Sequence, residues 1–169
     1  SDKVFSREEM GLPKDSFVFC CFNKNYKILP SVFDIWMNLL KKVKNSVLWL
    51  LVENTKAQEN LKKEATKRNI DENRIIFAKI MPLDGHLARH RCADLFIDTF
   101  PYTAHTTCSD ALWAGLPVVT RIGKSFASRV SASLLNAIDL PELITHSEEE
   151  FENLALDFAN DKNKLDKVK

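Results

Sequence analysis

The sequence predicts an α/β fold, a parallel sheet covered by helices on both faces, and three observations carry that expectation. Short apolar runs without polar alternation recur along the chain, as strands buried on both faces do. Segments with apolar residues at helical spacing stand between them. No linker, low-complexity stretch or solenoid-length repeat interrupts the alternation across 169 residues, so one Rossmann-like layered domain is expected over residues 1–169.

The elements follow in order. Phe17-Val18-Phe19-Cys20-Cys21-Phe22 is the first strand run and Val47-Leu48-Trp49-Leu50-Leu51-Val52 the second. Ile75-Ile76-Phe77-Ala78 is the third, Leu95-Phe96-Ile97 the fourth, and Val118-Val119 a shorter fifth. Between the first two, Val32, Trp36, Leu39, Leu40 and Val43 share one helical stripe. Pro30 sits near its start, where a missing N–H costs least. Ala57, Leu61 and Ala65 mark a thinner, more exposed second helix, with Lys67 and Arg68 suiting its C-terminus. Residues 83–92 suit a third helix and 106–114 a fourth. Phe126, Val130, Leu134, Ala137 and Ile138 mark a fifth. Residues 147–159 make a sixth, opened by a capping box of Ser147 and Glu150.

Composition narrows the function. The balance of 24 basic and 23 acidic residues, +1, disfavours a surface built for nucleic acid or anionic lipid, while leaving room for a local basic site. No run of eighteen apolar residues predicts a membrane span, and the charged first ten residues do not read as a secretory leader. Cys20, Cys21, Cys92 and Cys108 form no C-x-x-C pair; they read as reduced, buried thiols of a cytoplasmic protein. The chain begins at Ser1 rather than Met, which fits a piece of a longer protein.

Sheets of this kind bind ligands beyond the carboxyl ends of their strands, so the loops at 23–30, 79–86, 99–107 and 121–125 are the places to look. Neither G-x-G-x-x-G nor a Walker A loop is present, which removes most support for nicotinamide chemistry or P-loop hydrolysis. Thr106 and Thr107 stand where a helix begins after the fourth strand. Two hydroxyls and free backbone N–H groups there make an anion site, or one of the two is simply an N-cap. Lys27 could bring a mobile positive charge to the same phosphates. Asp110, one turn further on, faces either the ligand or solvent. His86 and His90 have the i, i+4 spacing of a metal pair, but no H-E-x-x-H glutamate or third ligand accompanies them. A histidine at a strand mouth can instead stack on a nucleobase. Arg89 lies on about the same face as His86, and composition alone places it with Arg91 on a solvated basic helix face.

Several stretches resemble one family. They are Phe22-Asn23-Lys24-Asn25-Tyr26-Lys27-Ile28, Ser46-Val47-Leu48-Trp49-Leu50-Leu51, Arg74-Ile75-Ile76-Phe77, His86-Leu87-Ala88-Arg89 and Ala93-Asp94-Leu95-Phe96-Ile97-Asp98-Thr99. The most specific runs from His105-Thr106-Thr107 through Asp110, Leu112-Trp113-Ala114-Gly115 and Pro117-Val118-Val119-Thr120, and Ser125-Phe126-Ala127-Ser128-Arg129-Val130 continues it. Together they resemble the C-terminal catalytic lobe of O-GlcNAc transferases and SPINDLY-like proteins, in wording nearest the bacterial members with tetratricopeptide repeats.

The resemblance implies one lobe of a two-lobed GT-B glycosyltransferase, an inverting enzyme that moves N-acetylglucosamine from UDP-GlcNAc to Ser or Thr hydroxyls of an acceptor protein or peptide. Another nucleotide sugar, carrying glucose or fucose, or a noncatalytic nucleotide-binding module, is the alternative. It implies that Lys27 neutralises the diphosphate with Lys24 beside it. Thr106 and Thr107 would hold phosphate oxygens, and His105 would lie against the diphosphate and sugar. Asp110 would accept from ribose hydroxyls, His86 would stack on or edge the uracil, Arg89 would help at the base, and the backbone near Met81 would read the uracil edge. No cofactor and no divalent metal are implied. Lys24 stands where animal members carry glutamine, and Leu83 where they carry lysine. The N-terminal lobe, which supplies the proposed base in the family, has no counterpart here, so the isolated lobe is expected to bind donor without transferring sugar.

Overall fold

The computed structural model describes residues 4–24, 27–100, 106–121, 130–138 and 140–168. Its centre is a six-stranded sheet, every neighbouring pair parallel, in the order β3-β2-β1-β4-β5-β6. The strands are β1 (Phe17–Cys21), β2 (Ser46–Leu51), β3 (Ile75–Ala78), β4 (Leu95–Ile97), β5 (Val118–Arg121) and β6 (Ile144–Thr145). The four central strands are almost wholly buried, which is why their sequences carry no polar alternation.

Among the described residues, seven α-helices join or follow them: α1 (Pro30–Lys42), α2 (Thr55–Lys67), α3 (Leu83–Arg89), α4 (Thr106–Trp113), α5 (Val130–Ala137), α6 (Glu148–Asn160) and α7 (Lys162–Lys167). α1 packs against α6, while α3 packs against α4 and α4 against α5, so helical layers form on both faces as expected. Pro30 opens α1, and buried Val32, Phe33, Trp36, Leu39 and Leu40 are its sheet-facing stripe. Asn54 caps α2 by accepting from the Ala57 N–H at 3.1 Å. The Ser147 hydroxyl caps α6 by accepting from the Glu150 N–H at 3.1 Å, and the Glu150 carboxylate accepts from the His146 N–H at 2.7 Å.

One expectation needs correction, and two short elements go beyond the expected set. The third helix does not run through residue 92; α3 ends at Arg89 and a 3₁₀ turn covers His90–Cys92. β6 has two residues, too few for a periodicity to show. α7 has a single buried anchor, Leu165. The fifth helix begins at Val130 within the described residues, and Phe126 lies outside them.

A guanidinium ties the start of the chain to the amino end of the sheet. Arg7 donates to the carbonyls of Cys92 (3.0 Å) and Ser16 (2.7 Å) and pairs with Asp94 at 2.9 Å. Asp94 in turn accepts from the Val18 N–H at 2.8 Å. These contacts fix the amino end of β1 to the turn before β4.

The strand order sets unequal costs for core truncation. Phe19 on central β1 is fully buried, whereas Phe77 on edge β3 is half-buried. Phe19→Ala should lose about 3–5 kcal/mol in urea unfolding and Phe77→Ala less than half as much. Equal losses would contradict the placement of β3 at the edge.

Candidate functional site

The order β3-β2-β1-β4-β5-β6 reverses its direction of growth between β1 and β4. The loops leaving those two strands diverge there and open a crevice at their carboxyl ends. Asn23 follows β1, Asp98 and Thr99 follow β4, and all three are buried. Asn23 Nδ2 donates to Asp98 Oδ1 at 3.1 Å and to Thr99 Oγ1 at 2.7 Å. The Thr99 N–H donates to the same Asp98 oxygen at 2.8 Å, and Thr120 Oγ1 donates to Asp98 Oδ2 at 2.7 Å.

This network has a fixed direction. A carboxylate only accepts, so the Asn23 amide nitrogen faces Asp98 and the amide oxygen faces the other way. Asn23 Oδ1 then accepts from Thr107 Oγ1, in the first turn of α4. The Thr107 hydroxyl hydrogen is committed to Asn23, which leaves the oxygen's lone pairs for a further partner. Thr106 is the first helical residue of α4, and the residue before it lies outside the described residues.

On α3, Arg89 and His86 act as a unit. Arg89 is 1 % exposed. Its Nε and Nη2 lie 3.1 and 2.6 Å from His86 Nδ1, Nη1 donates to the Lys79 carbonyl, and the guanidinium lies over the Phe22 ring at 5.0 Å. The expectation of a solvated basic face is wrong for this residue. Buried Gly85 and Ala88 put this side of α3 against the protein, whereas Arg91 is exposed. Phe22 also meets His86 at 5.4 Å, His90 at 5.2 Å and Trp49 at 5.0 Å between ring centres. His86 Nε2 points across to Asp110 Oδ2, 3.9 Å away on α4. Burial raises the Asp110 carboxyl above its ordinary value. Asp110 therefore faces the crevice rather than open solvent.

The remaining candidates take these places. Lys27 is half-buried, its N–H donating to the Lys24 carbonyl at 3.0 Å, and Lys24 is exposed; both lie in the loop after β1. Met81 follows β3, and its side chain lies so close to Gly85 that a Cβ there would meet Met81 Cε at 3.3 Å. Beside it opens a cleft of about 490 Å³ lined by Trp49, Lys79, Ile80, Met81 and Arg89, with Glu8–Gly11 across from them. Leu83 is exposed. His105 lies outside the described residues, and of Thr106 only the backbone is described. The reading of single residues missed Asp98, Thr99 and Thr120. Their signal is a polar residue where an apolar strand run stops, at 98 after β4 and 120 within β5. All four cysteines are free and buried, and burial pushes Cys108 up to about 12. Among the described residues, no helix is long and apolar enough to cross a membrane.

The buried histidines make stability depend on acid. Burial is the main cause that holds His86 and His90 down at about 4, from an ordinary 6.5, and the Arg89 charge adds to it. The unfolded chain takes up these protons near pH 6.5, but the folded chain only near 4. Stability is therefore complete above pH 6.5 and lost as pH falls toward 4, with a slope of up to about 2.7 kcal/mol per pH unit for the pair. Urea midpoints measured across that window should show it, and His90→Gln should remove about half of the slope. An unchanged slope would contradict a neutral, buried His90.

Comparison with known proteins matches this arrangement to one family. The model of glycosyl transferase family 41 matches residues 2–169. A UDP-N-acetylglucosamine–peptide N-acetylglucosaminyltransferase of Caenorhabditis elegans is 39 % identical over 160 residues, covering 95 % of this chain and 14 % of that protein. The probable enzyme of the same description, SEC, from Arabidopsis thaliana is 38 % identical, covering 94 % and 16 %. The chain thus spans under a fifth of the length of these relatives. Among solved structures, a mutant O-GlcNAc transferase of Thermobaculum terrenum superposes with a TM-score of 0.87 at 32 % identity, over 90 % of this chain and 30 % of that one. The C-terminal domain of a group 1 glycosyl transferase from Francisella tularensis shares the fold at TM-score 0.64 and 12 % identity, over 90 % and 80 % of the two chains. With an all-parallel α/β sheet of the GT-B type and a family match along nearly its whole length, this chain belongs to glycosyl transferase family 41.

Proposed function

We propose that this chain is the donor-binding lobe of a protein O-glycosyltransferase that transfers N-acetylglucosamine from UDP-GlcNAc to Ser or Thr hydroxyls with inversion. The observation that carries the reading is the convergence of Asn23, Asp98, Thr107, Asp110 and His86 at the β1/β4 crevice of a family 41 chain. The relatives' printed names support the donor and the peptide acceptor.

In this reading the acceptor oxygen attacks the anomeric carbon and the bond to the β-phosphate oxygen breaks, so negative charge grows on UDP. Lys27 and the backbone N–H groups at the start of α4 stabilise that charge, with Lys24 and His105 beside them. They do so without a divalent metal. Thr107 contributes its N–H, its hydroxyl being held by Asn23, and Thr106 stands next to it. Asp110 accepts from the ribose hydroxyls, His86 edges the uracil, Arg89 supports His86 from behind, and the backbone near Met81 meets the base edge. The acceptor groove and the base belong to an N-terminal lobe in a longer, cytoplasmic parent chain with tetratricopeptide repeats. Residues 1–169 alone then bind the donor without transferring it.

Calorimetric titration of UDP into the chain tests the reading. Binding should persist with a chelator present, and Lys27→Ala should weaken it by about 10- to 150-fold, the worth of one charge-assisted contact. Unchanged affinity would remove Lys27 from the site, and loss of binding in chelator would require a metal. Asp110→Ala should weaken UDP by about tenfold and leave uracil binding unchanged. Equal losses for UDP and uracil would rule out a ribose contact.

A further inference from the structure

We propose that Arg89 is a positioning residue that locks His86 as the neutral Nε2–H tautomer, so that the ring presents a donor to the crevice and leaves the Asp110 carboxylate uncommitted. The tautomer follows from hydrogen-bond chemistry. A guanidinium has only donors, and two of its nitrogens, Nε and Nη2, converge on His86 Nδ1 at 3.1 and 2.6 Å. That nitrogen must therefore be a bare acceptor, and the proton of the neutral ring sits on Nε2. Protonating Nδ1 would break both contacts and set an imidazolium against a buried guanidinium. His90 is held in the opposite tautomer: its Nδ1 lies 2.8 Å from the His86 carbonyl, which can only accept, so the proton is on Nδ1. Among the described residues its buried Nε2 has no hydrogen-bond partner, which suits a bare nitrogen better than an N–H.

Arg89 itself is held on its other sides. The Lys79 carbonyl accepts from Nη1, Phe22 lies under the guanidinium plane, and the residue is almost wholly buried. Among the described residues, the titratable and charged groups facing His86 are Arg89, His90 and Asp110, and the first two oppose its protonation. The consequence concerns Asp110. An imidazolium 3.9 Å away would draw the carboxylate into an ion pair. A neutral ring at that distance, beyond hydrogen-bond range, leaves both carboxylate oxygens for a ligand hydroxyl. This last step rests on the nucleotide reading above; the tautomer does not.

The test is long-range 1H–15N correlation of the histidine rings in the unliganded 169-residue chain. At about pH 7, His86 should show a bare Nδ1 and a protonated Nε2, and His90 the reverse. The His86 pattern should persist down to about pH 5.5, a unit below the ordinary histidine value. Arg89→Met should mix the His86 tautomers and let the ring titrate between about pH 5.5 and 7, with UDP affinity becoming pH-dependent in that range. Arg89→Lys, which keeps a donor and the charge, should restore the pattern in part. A protonated Nδ1 on wild-type His86 would overturn the proposal, as would an unchanged pattern in Arg89→Met. The wild-type spectrum decides the matter even where the variants fail to fold. Absence of UDP binding with the expected tautomers would sink the nucleotide reading alone. UDP binding with the wrong tautomer would sink this proposal alone.

Discussion

A carboxylate without solvent is costly unless donors surround it, and the carboxyl end of this sheet is organised by that constraint. Asp98, with no exposed surface, takes hydrogen bonds from Asn23 after β1, from the Thr99 backbone after β4 and from Thr120 on β5. Three strand ends are thus bound to one anion at the point where the sheet changes direction. Because the anion only accepts, it orients the Asn23 amide, and the amide orients Thr107. The position of α4 relative to β1 is set by this chain of one-way contacts rather than by apolar packing alone.

The α3 side of the crevice obeys the same logic with the opposite charge. A buried guanidinium needs acceptors, and it finds His86 Nδ1, the Lys79 carbonyl and the face of Phe22. Phe22 joins the two halves, since the residue beside it, Asn23, carries the amide of the first network. A near-zero net charge is compatible with such a site because its charges are few, and Asp98 and Arg89 among them are buried against hydrogen-bond partners.

Much of this was legible in the chain. Strand runs such as Val47 to Val52 and the stripe through Val32, Trp36 and Leu39 carry their periodicity in the open, and Pro30 and Ser147 mark helix starts by local chemistry. β6 and α7 were not legible: two residues show no period, and one anchoring leucine does not define a helical face. Arg89 was misread because burial of a charge depends on partners distant in sequence, here Lys79 and Phe22, and on the small residues Gly85 and Ala88 that seat α3 closely. Asp98 failed to stand out for the same reason; an aspartate after a strand has the same letters whether it faces water or three donors.

The one-way contact from Thr107 to Asn23 has a thermodynamic consequence. The hydroxyl rotor, the amide flip and the offset of α4 are all settled when the chain folds, so their entropy is lost at folding and not at ligand capture. A crevice ordered in advance should show a small entropic penalty on binding and little adjustment to ligands of the wrong shape. Discrimination between ligands would then come from stiffness, since the first turn of α4 is tied through Thr107 and Asn23 to the buried Asp98.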